Sequence, residues 1–240
     1  MEKNKINSLF LYEGKAKKVF QYTDETVMIY FKDDATAGNR AKEAVFEGKG
    51  KLNASISAKL FEHLHTFGID THYIESNGER EHHCHKLDII PIEVIVRNRA
   101  AGTFCKRYGI EVGKTLKTVI VEWCVKDDAL NDPPICDDSI VALGITDTIT
   151  LNRMRETSLK INNILTQLFR RTGLQLIDFK LEFGLNIEGK LILADEICPD
   201  TMRLWNNQNQ SFDKDLFRND SGDLLAGYRE VERLINDDKK

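Results

Sequence analysis

The sequence predicts an α+β protein of two lobes, with a mostly antiparallel β lobe over residues 1–88 and a larger α+β lobe over residues 89–240. Short apolar runs broken by polar turns dominate as far as Pro91, and longer segments with helical periodicity follow it. At 240 residues the chain is long enough for two modest domains, and its 41% hydrophobic and 30% charged residues are typical of a globular protein. We therefore expect a cleft between the lobes.

The first lobe begins with a predicted antiparallel sheet over residues 8–31, where apolar runs alternate with polar breaks. A helix should follow, because apolar residues recur at helical spacing and Gly68 stands where a glycine commonly ends a helix. Those apolar residues are Leu52, Ile56, Leu60, Phe61 and Leu64. Residues 72–97 return to strands, with Asn77 and Gly78 as a strong turn signal.

The second lobe is predicted to start with a strand over residues 92–98 and a short helix over residues 103–109. The longest helix should span residues 148–172. Its apolar side consists of Leu151, Met154, Ile161, Ile164, Leu165 and Leu168. A β-hairpin over residues 176–196 and an amphipathic helix over residues 222–237 complete the chain.

Charge and composition exclude several classes of protein. A net charge of -4 and a pI near 5.9 argue against a nucleic-acid binder that relies on broad electrostatics. No apolar run is long enough for a membrane span, and the opening MEKNKINSLF lacks the apolar core of a signal peptide. We therefore expect a cytoplasmic protein.

The cysteines and histidines do not suggest a metal centre. Five scattered cysteines without a CxxC pair indicate reduced thiols rather than disulfides or a zinc site: Cys84, Cys105, Cys124, Cys136 and Cys198. The cluster HHCH at residues 82–85 contains metal-ligand residue types. Its members are adjacent, however, so on a strand they would alternate between faces and could not converge on one ion.

Residues 176–196, LIDFKLEFGLNIEGKLILADE, alternate with a period of two, so that one face is apolar and the other carries Asp178, Lys180 and Glu182. A symmetric two- or four-residue loop would place Glu182 directly opposite Asp195. Opposed carboxylates repel, so a cation should lie between them, and two acids with phosphate oxygens are typical of Mg²⁺ bound with a nucleotide.

Two alternatives to this interpretation of the hairpin remain open. A three-residue loop with Gly189 as a bulge would place Glu182 opposite Ala194 instead. The acids could also be two solvated carboxylates on an exposed strand face.

Two further segments could bind phosphate. EGKAKKVF places Gly14 at a strand turn with Lys15 and Lys17 on one face, although a lysine-rich hairpin is often only a solvated edge. In IIPIEVIVRNRAAGTFCKR, Arg97 ends a strand and Thr103 is suited to cap the next helix, which would create an anion site. Alternatively, Thr103 only caps the helix and Arg97 only pairs with Glu93.

The segment DEICPDTMRLW is rich in charge for a loop whose neighbours favour burial. Together with GKAKKVF, DDATAGN at residues 33–39, IPIEVIVRNRAAGT, KDDALNDP at residues 126–133 and LIDFKLEFG, it resembles the SAICAR synthetase family, in the family's order and over nearly the whole chain. Members of that family join L-aspartate to the carboxylate of a carboxyaminoimidazole ribonucleotide in purine biosynthesis, converting ATP to ADP and phosphate. The resemblance implies ATP and Mg²⁺ as cofactors, a kinase-like or ATP-grasp-like cleft, and a homodimer.

The resemblance also implies roles for particular residues. The residues that lie over the ATP phosphates are Gly14, Lys15, Ala16 and Lys17. The backbone at Lys86 and Leu87 receives adenine. Glu182 and Asp195 bind magnesium. Lys180 neutralises phosphate or the substrate carboxylate, and Asp178 orients Lys180 or helps hold a second ion. Arg97, Thr103 and Arg203 match the positions that bind the ribonucleotide phosphate, with Thr103 where the family has serine. Asp34 and Lys126 lie in family motifs and are candidates for substrate binding, and Asp132 lies in a family motif without an assigned role.

The chemistry requires such residues because a carboxylate is a poor electrophile until a phosphoryl group is placed on it. L-Aspartate's amine then attacks the acyl phosphate, and no protein nucleophile is needed, so Cys198 is predicted to serve packing. A small-molecule kinase is one competing hypothesis, and a nucleotide-sensing module without turnover is another.

Overall fold

The structure, a computed structural model, describes residues 9–38 and 40–238, so Asn39 of the DDATAGN motif lies outside the described residues. The strands are β1 (Leu9–Glu13), β2 (Lys17–Gln21), β3 (Thr26–Phe31), β4 (Asp34–Ala37), β5 (Lys42–Val45), β6 (Tyr73–Ser76), β7 (Glu81–His85), β8 (Asp88–Arg99), β9 (Thr115–Val125), β10 (Pro134–Ile135), β11 (Gln175–Leu185), β12 (Leu191–Ala194) and β13 (Met202–Trp205). The helices are α1 (Lys49–Thr66), α2 (Gly102–Tyr108), α3 (Asp137–Ala142), α4 (Thr148–Arg171), α5 (Asp215–Arg218) and α6 (Leu224–Asp237), with a 3-10 turn at Asp128–Leu130.

The first lobe is built on a five-stranded antiparallel sheet in the order β1-β2-β3-β7-β6. Its strands match the alternating segments that the sequence shows, and Gly78 has the positive φ that its turn requires. Within β7, His82 and Cys84 are buried while His85 is exposed, so the HHCH residues alternate as predicted. A two-stranded hairpin of β4 and β5 lies between β3 and α1 along the chain.

The second lobe contains a six-stranded antiparallel sheet in the order β10-β9-β8-β11-β12, with β13 also paired to β11. One face of β8 and β11 is apolar and packs on the long helix α4, because residues such as Val94 and Leu181 point toward it. Helix α1 contributes Leu60 and Phe61 to the same large core. The α+β fold of two lobes, each with one large antiparallel sheet, is therefore confirmed.

The other face of β8 and β11 is polar and determines where the chemistry lies. In the register of these strands, Asp178 is opposite Arg97 and Glu182 is opposite Glu93. Lys180 lies between the two acids on the same face, so the acid–base–acid order of the sequence becomes one charged surface.

The favoured prediction for the hairpin register is wrong, because Glu182 pairs with Ala194 and Asp195 comes directly after β12. A five-residue loop separates the paired residues Leu185 and Leu191. The Asn186 side chain closes this loop by accepting hydrogen bonds from the N–H groups of Glu188 and Lys190, at 3.1 and 2.8 Å. The observed pairing is the one expected for the alternative register, although the loop is longer than the three residues considered for it.

The prediction that Thr103 caps α2 is also wrong. The helix begins at Gly102, its N-cap is Ala101, and no side chain donates or accepts a capping hydrogen bond. Gly102 has a φ of 58°, which favours glycine, and a Cβ added there would lie 2.6 Å from Nη2 of Arg203. The glycine therefore leaves room for Arg203, while the Thr103 side chain is exposed.

None of the helices in the described part of the chain combines the length and hydrophobicity of a transmembrane span.

Candidate active site

A cavity of about 160 Å³ lies between the two sheets and has one apolar side and one charged end. The apolar side comes from Leu11, Val19, Val27 and Ile29 of the first sheet, and the charged end comes from Lys17, Lys126, Glu182 and Asp195. The connection from β7 to β8, which contains Lys86 and Leu87, forms part of its wall. The same connection lines an adjoining cavity of about 590 Å³, so it separates two spaces.

Lys180 contacts both acids of the charged end and is the centre of a larger group of charged side chains. Its ammonium nitrogen lies 3.0 Å from Oε1 of Glu93, 2.7 Å from Oε1 of Glu182 and 3.2 Å from Oδ2 of Asp195. Burial alone would lower the pKa of Lys180, but the charges of Asp195 and Glu182 outweigh it and raise that pKa. Lys180 is therefore held in its protonated form between the carboxylates.

Two more lysines complete this group. Lys17 forms ion pairs with Asp195 and Glu196, and Lys126 forms one with Glu182. Burial opposes the charge on Lys17, yet the two adjacent carboxylates raise its pKa. The β2 strand and the loop before β10 thus bring cations to acids on β11 and after β12.

The two neighbouring acids after β12 differ in their electrostatics. Burial would raise the pKa of Asp195, but the charges of Lys17 and Lys180 hold it well below its usual range. Burial and the charge of Asp195 raise the pKa of Glu196 to about 7. His72 lies beneath them, with Nε2 2.8 Å from the carbonyl oxygen of Asp195, and burial followed by the charge of Lys17 lowers its pKa to about 3. His72 is accordingly neutral and donates this hydrogen bond.

Glu182 and Asp195 supply the kind of oxygen ligand that suits a Mg²⁺ site. Oε1 of Glu182 and Oδ2 of Asp195 both contact the Lys180 nitrogen, so these two oxygens are neighbours across one ammonium group. Carboxylate oxygens suit Mg²⁺, which usually takes one or two of them and completes its coordination with phosphate and water. A positive charge does lie between the two acids, and here it is the Lys180 ammonium.

The turn between β1 and β2 covers one side of this group. Gly14 donates its N–H to the carbonyl of Lys17 at 2.8 Å, and Lys15 forms an ion pair of 2.6 Å with Asp128. The carbonyl of Ala16 accepts the N–H of Lys32 at 2.8 Å.

Two candidates from the family motifs lie outside the charged end. Asp34 is 3.5 Å from the ammonium of Lys32 and contacts none of the lysines of that group. Asp132 accepts the N–H of Asp127 at 3.1 Å and so closes its own loop.

A second charged group extends along the same polar face. Oδ2 of Asp178 accepts hydrogen bonds from Arg97 at 2.8 Å and from Arg203 at 2.9 Å. Arg97 also pairs with Glu122 at 2.6 Å, and Arg203 pairs with Asp215 at 2.7 Å. Burial works against the charge of Arg203, but Asp178 and Asp215 raise its pKa. One alternative from the sequence paired Arg97 with Glu93, but Arg97 pairs with Glu122 and Asp178 instead.

Several residues of these groups were missed or left without a role by sequence reasoning. Glu93 could have been found, because it stands four residues before Arg97 on the same face of β8. Glu196 lies in the acidic run but had no assigned partner. Glu122 and His72 carried no local signal, because only the β8–β9 pairing and the contact beneath Asp195 bring them to the site.

Asp200, from the same acidic run, has a structural role instead. Its Oδ2 lies 2.5 Å from the Lys49 ammonium and accepts a hydrogen bond from Asn53 at 2.9 Å, while Oδ1 accepts one from Tyr228 at 2.6 Å. Lys49 is fully buried. This group ties α1 and α6 to the loop that follows Asp195.

Comparison with known proteins shows the family of the chain. The SAICAR synthetase family model matches residues 10–235. The phosphoribosylaminoimidazole-succinocarboxamide synthase of Methanocaldococcus jannaschii is 51% identical over 226 residues, which cover 93% of each chain. That of Finegoldia magna is 49% identical over 224 residues, which cover 92% of this chain and 96% of the relative.

Solved structures show the same two-lobe architecture. The phosphoribosylaminoimidazole-succinocarboxamide synthase of Ehrlichia chaffeensis superposes with a TM-score of 0.92 and 44% identity, covering 95% of this chain and 98% of its own. A SAICAR synthetase solved in complex with ADP gives a TM-score of 0.92 and 43% identity with the same coverage. The chain therefore belongs to the SAICAR synthetase family.

Proposed function

We propose that this protein is an ATP-dependent ligase of purine biosynthesis that joins L-aspartate to the carboxylate of a carboxyaminoimidazole ribonucleotide. One observation carries the proposal: a single cavity places an apolar wall beside a cluster of lysines and carboxylates. An apolar wall suits a flat base, and the charged end suits phosphates and a divalent ion. Relatives of about 50% identity carry the name of this activity, and one solved relative holds ADP.

The nucleotide is proposed to lie with adenine against the connection at Lys86 and Leu87 and its phosphates under the turn of Gly14, Lys15, Ala16 and Lys17. Both segments border the cavity or its charged end. We propose residues 1–88 as the lobe that supplies most of these contacts, and residues 89–240 as the lobe that supplies the ion and ribonucleotide sites.

Glu182 and Asp195 are proposed to hold Mg²⁺, which when bound would neutralise charge on the phosphate oxygens. Lys180 and Lys17 already contact these acids, so both ammonium groups lie beside the position expected for the transferred phosphoryl group. Because phosphoryl transfer depends on positioning and charge neutralisation, these lysines would keep the anionic reactants together.

The ribonucleotide is proposed to bind along the second charged group. Arg203, whose side chain is 17% exposed, is the more accessible guanidinium, while Arg97 at 2% holds Asp178 in place. Thr103 is exposed at the start of α2 and can offer its hydroxyl to the phosphate. Lys126 and Asp34 are proposed as further substrate contacts.

The γ-phosphoryl group of ATP passes to the ribonucleotide carboxylate and ADP leaves. The amine of L-aspartate then attacks the carbonyl carbon, phosphate leaves, and the nitrogen loses a proton to give the amide. Asp178 is hydrogen-bonded to Arg203 and so orients this arginine, not Lys180 as the resemblance had implied. Lys180 stabilises the negative charge on the substrate carboxylate. Cys198 is fully buried, and burial raises the pKa of its thiol, so it is packing rather than a nucleophile.

The direct test measures ADP release with ATP, Mg²⁺ and the ribonucleotide, with and without L-aspartate. We expect both ADP release and succinocarboxamide formation to require L-aspartate, with one ADP released for each succinocarboxamide formed. ADP release with a phosphorylated alcohol as product would indicate the kinase alternative, and nucleotide binding without ADP release would indicate a sensing module.

We further propose a homodimer that works in the cytoplasm. The family resemblance supports the assembly, and five unpaired cysteines suit a reducing compartment. Light scattering on the purified protein measures the assembly, and a monomer at micromolar concentration would contradict the proposed dimer.

A further inference from the structure

Gly184 lies on β11 two residues beyond Glu182, directly beneath the connection that separates the two cavities. It is buried and paired with Ile89 of β8. A Cβ built on Gly184 would lie 2.8 Å from Cβ of Leu87 and 2.9 Å from the carbonyl oxygen of Asp88. Carbon atoms in ordinary contact are about 3.5 to 4.0 Å apart, so no side chain fits at this position while the connection keeps its place.

The need for glycine here is one of space and not of backbone conformation. Gly184 is absent from the glycines with positive φ in the described chain, so alanine could adopt its backbone angles. One of the two nearest atoms belongs to backbone, which cannot rotate away as the end of a long side chain can. A methyl group at Gly184 would therefore displace the connection itself.

The pairing of β8 with β11 shows how the connection comes so close. Between the pairs Glu182–Glu93 and Gly184–Ile89, β11 has one residue while β8 has three, so β8 bulges outward at residues 90–92. After this bulge β8 returns toward β11, and the chain at Leu87 and Asp88 rests on Gly184. The same short stretch of β11 thus carries Glu182 at one end and supports the connection at the other.

We propose that Gly184 is a positioning residue for the base of the nucleotide, acting through Leu87 and the backbone at residues 86–88. The proposal rests on the proposed function, in which this connection receives adenine. Leu87 lines both adjoining cavities, so a shift of the connection changes the space for the base. The clash falls on Leu87 and Asp88 of the connection rather than on β11, so Glu182 and the other charged groups proposed to hold the phosphates should keep their places.

The test compares Gly184→Ala with the wild type for ligands that do and do not carry a base. We expect the KM for ATP and the Kd for ADP with Mg²⁺ to rise on the order of tenfold, because the base no longer meets its backbone partners. The KM for L-aspartate and the inhibition constant of inorganic tripolyphosphate should be unchanged. Equal weakening of ADP and tripolyphosphate, or no weakening of ADP, would overturn the positioning role.

A matched control is Gly227→Ala in α6. Gly227 is also buried and lacks a positive φ, and its added Cβ would lie 2.6 Å from Cδ1 of Leu216, remote from the nucleotide cavity. The half-buried Leu216 side chain can rotate to admit the methyl group, and the Kd for ADP of this variant should be unchanged. If it weakens ADP as much as Gly184→Ala does, the effect is general loosening and the proposal fails.

A double-mutant cycle with Leu87→Gly covers the case in which Gly184→Ala folds poorly. Removing the Leu87 side chain removes one of the two clashes, so Gly184→Ala should weaken ADP less in the Leu87→Gly background than in the wild type. If Gly184→Ala fails to fold both alone and together with Leu87→Gly, the glycine serves only the fold and the inference is overturned. ADP binding is measured without turnover, so a wild type that lacks L-aspartate-dependent ADP release would refute the proposed function without deciding this test.

Discussion

Asp195 combines a charged site with an unusual backbone conformation. Its φ of 62° lies in the left-handed region, which few non-glycine residues adopt. This conformation directs the chain away from β12, so that the carboxylate meets Lys17 and Lys180 while the carbonyl accepts the hydrogen bond of His72. Residues in such conformations concentrate at functional sites, where surrounding contacts hold them in place.

Asp195→Asn should retain the fold and reduce turnover by at least about 100-fold, because it removes a negative charge from the proposed ion site. Asparagine, like aspartate, is one of the few non-glycine residues that adopt the left-handed region, so the backbone should keep its course. Turnover is measured across a Mg²⁺ titration, with circular dichroism to verify folding. Near-normal turnover at limiting Mg²⁺ would contradict the assignment.

The matched control is Asp70→Asn. Asp70 also has a lysine partner, Lys190 at 2.9 Å, but both side chains are 53% exposed and lie outside the cavity. The control should keep wild-type turnover at every Mg²⁺ concentration.

At the scale of elements, the buried Lys49–Asp200 pair joins three parts of the chain. Lys49 is in the first turn of α1, Asp200 lies in the loop that follows Asp195, and Tyr228 belongs to α6. Burial alone would raise the pKa of Asp200, but the charge of Lys49 holds it well below its usual range. Asp200 is therefore ionised and depends on its partners for compensation.

Lys49→Met should lower the free energy of unfolding by about 3 to 5 kcal/mol, because it leaves the Asp200 carboxylate buried without its cation. Chemical denaturation measures the change. Lys51→Met is the control on the same helix: its ion pair with Glu79 is exposed, so it should cost less than about 1 kcal/mol. Similar costs for the two variants would show that the buried pair is not the source of stability.

Most elements could be predicted from the sequence because their signals are local. The long helix, the terminal helix and the polar face of β11 depend on periodicity within one segment. The hairpin register depended on the loop, where Asn186 bonds two backbone N–H groups and extends the turn to five residues. The prediction of a symmetric two- or four-residue loop did not consider this side chain, and the predicted pairing of Glu182 was therefore wrong by one residue.

The site was only partly predictable for a related reason. Residues on one strand, such as Lys180 and Glu182, could be grouped by alternation alone. Glu93 and Lys126 join them only through the pairing of β8 with β11 and the loop after β9, and nothing local specifies those contacts. Thr103 was misplaced because a glycine with positive φ, and not the hydroxyl, begins α2.

At the scale of the whole molecule, an acidic protein concentrates cations in one cleft. The net charge is -4, yet three lysines meet at the charged end of the cavity and two arginines lie along the same polar face. Each is paired with a carboxylate of the protein. Anionic substrates must therefore compete with these carboxylates, which makes binding sensitive to ionic strength and to the protonation of buried acids.

Asp213 gives the protein a predictable dependence of stability on pH. It is fully buried and accepts hydrogen bonds from the N–H groups of Leu204 and Asp215 and from the Ser211 hydroxyl. Burial and the charge of Asp215 nevertheless raise its pKa to about 7. Above its ordinary pKa of about 3.9 the unfolded carboxyl has lost a proton that the folded one keeps. The contribution of this group to stability therefore falls as pH rises from about 4 to about 7 and is constant above that window.

Asp213→Asn cannot titrate, so its free energy of unfolding should decline less steeply than that of the wild type over this window, by up to about 1.4 kcal/mol per pH unit. Urea denaturation of both proteins across the window measures the difference in slope. Both proteins retain Glu196, whose pKa is also raised to about 7, so the difference reports on Asp213 alone. Asp24→Asn, in an exposed turn between β2 and β3, should keep the wild-type slope. If Asp213→Asn also keeps that slope, Asp213 is already ionised in the folded protein throughout this window, and the raised pKa is contradicted.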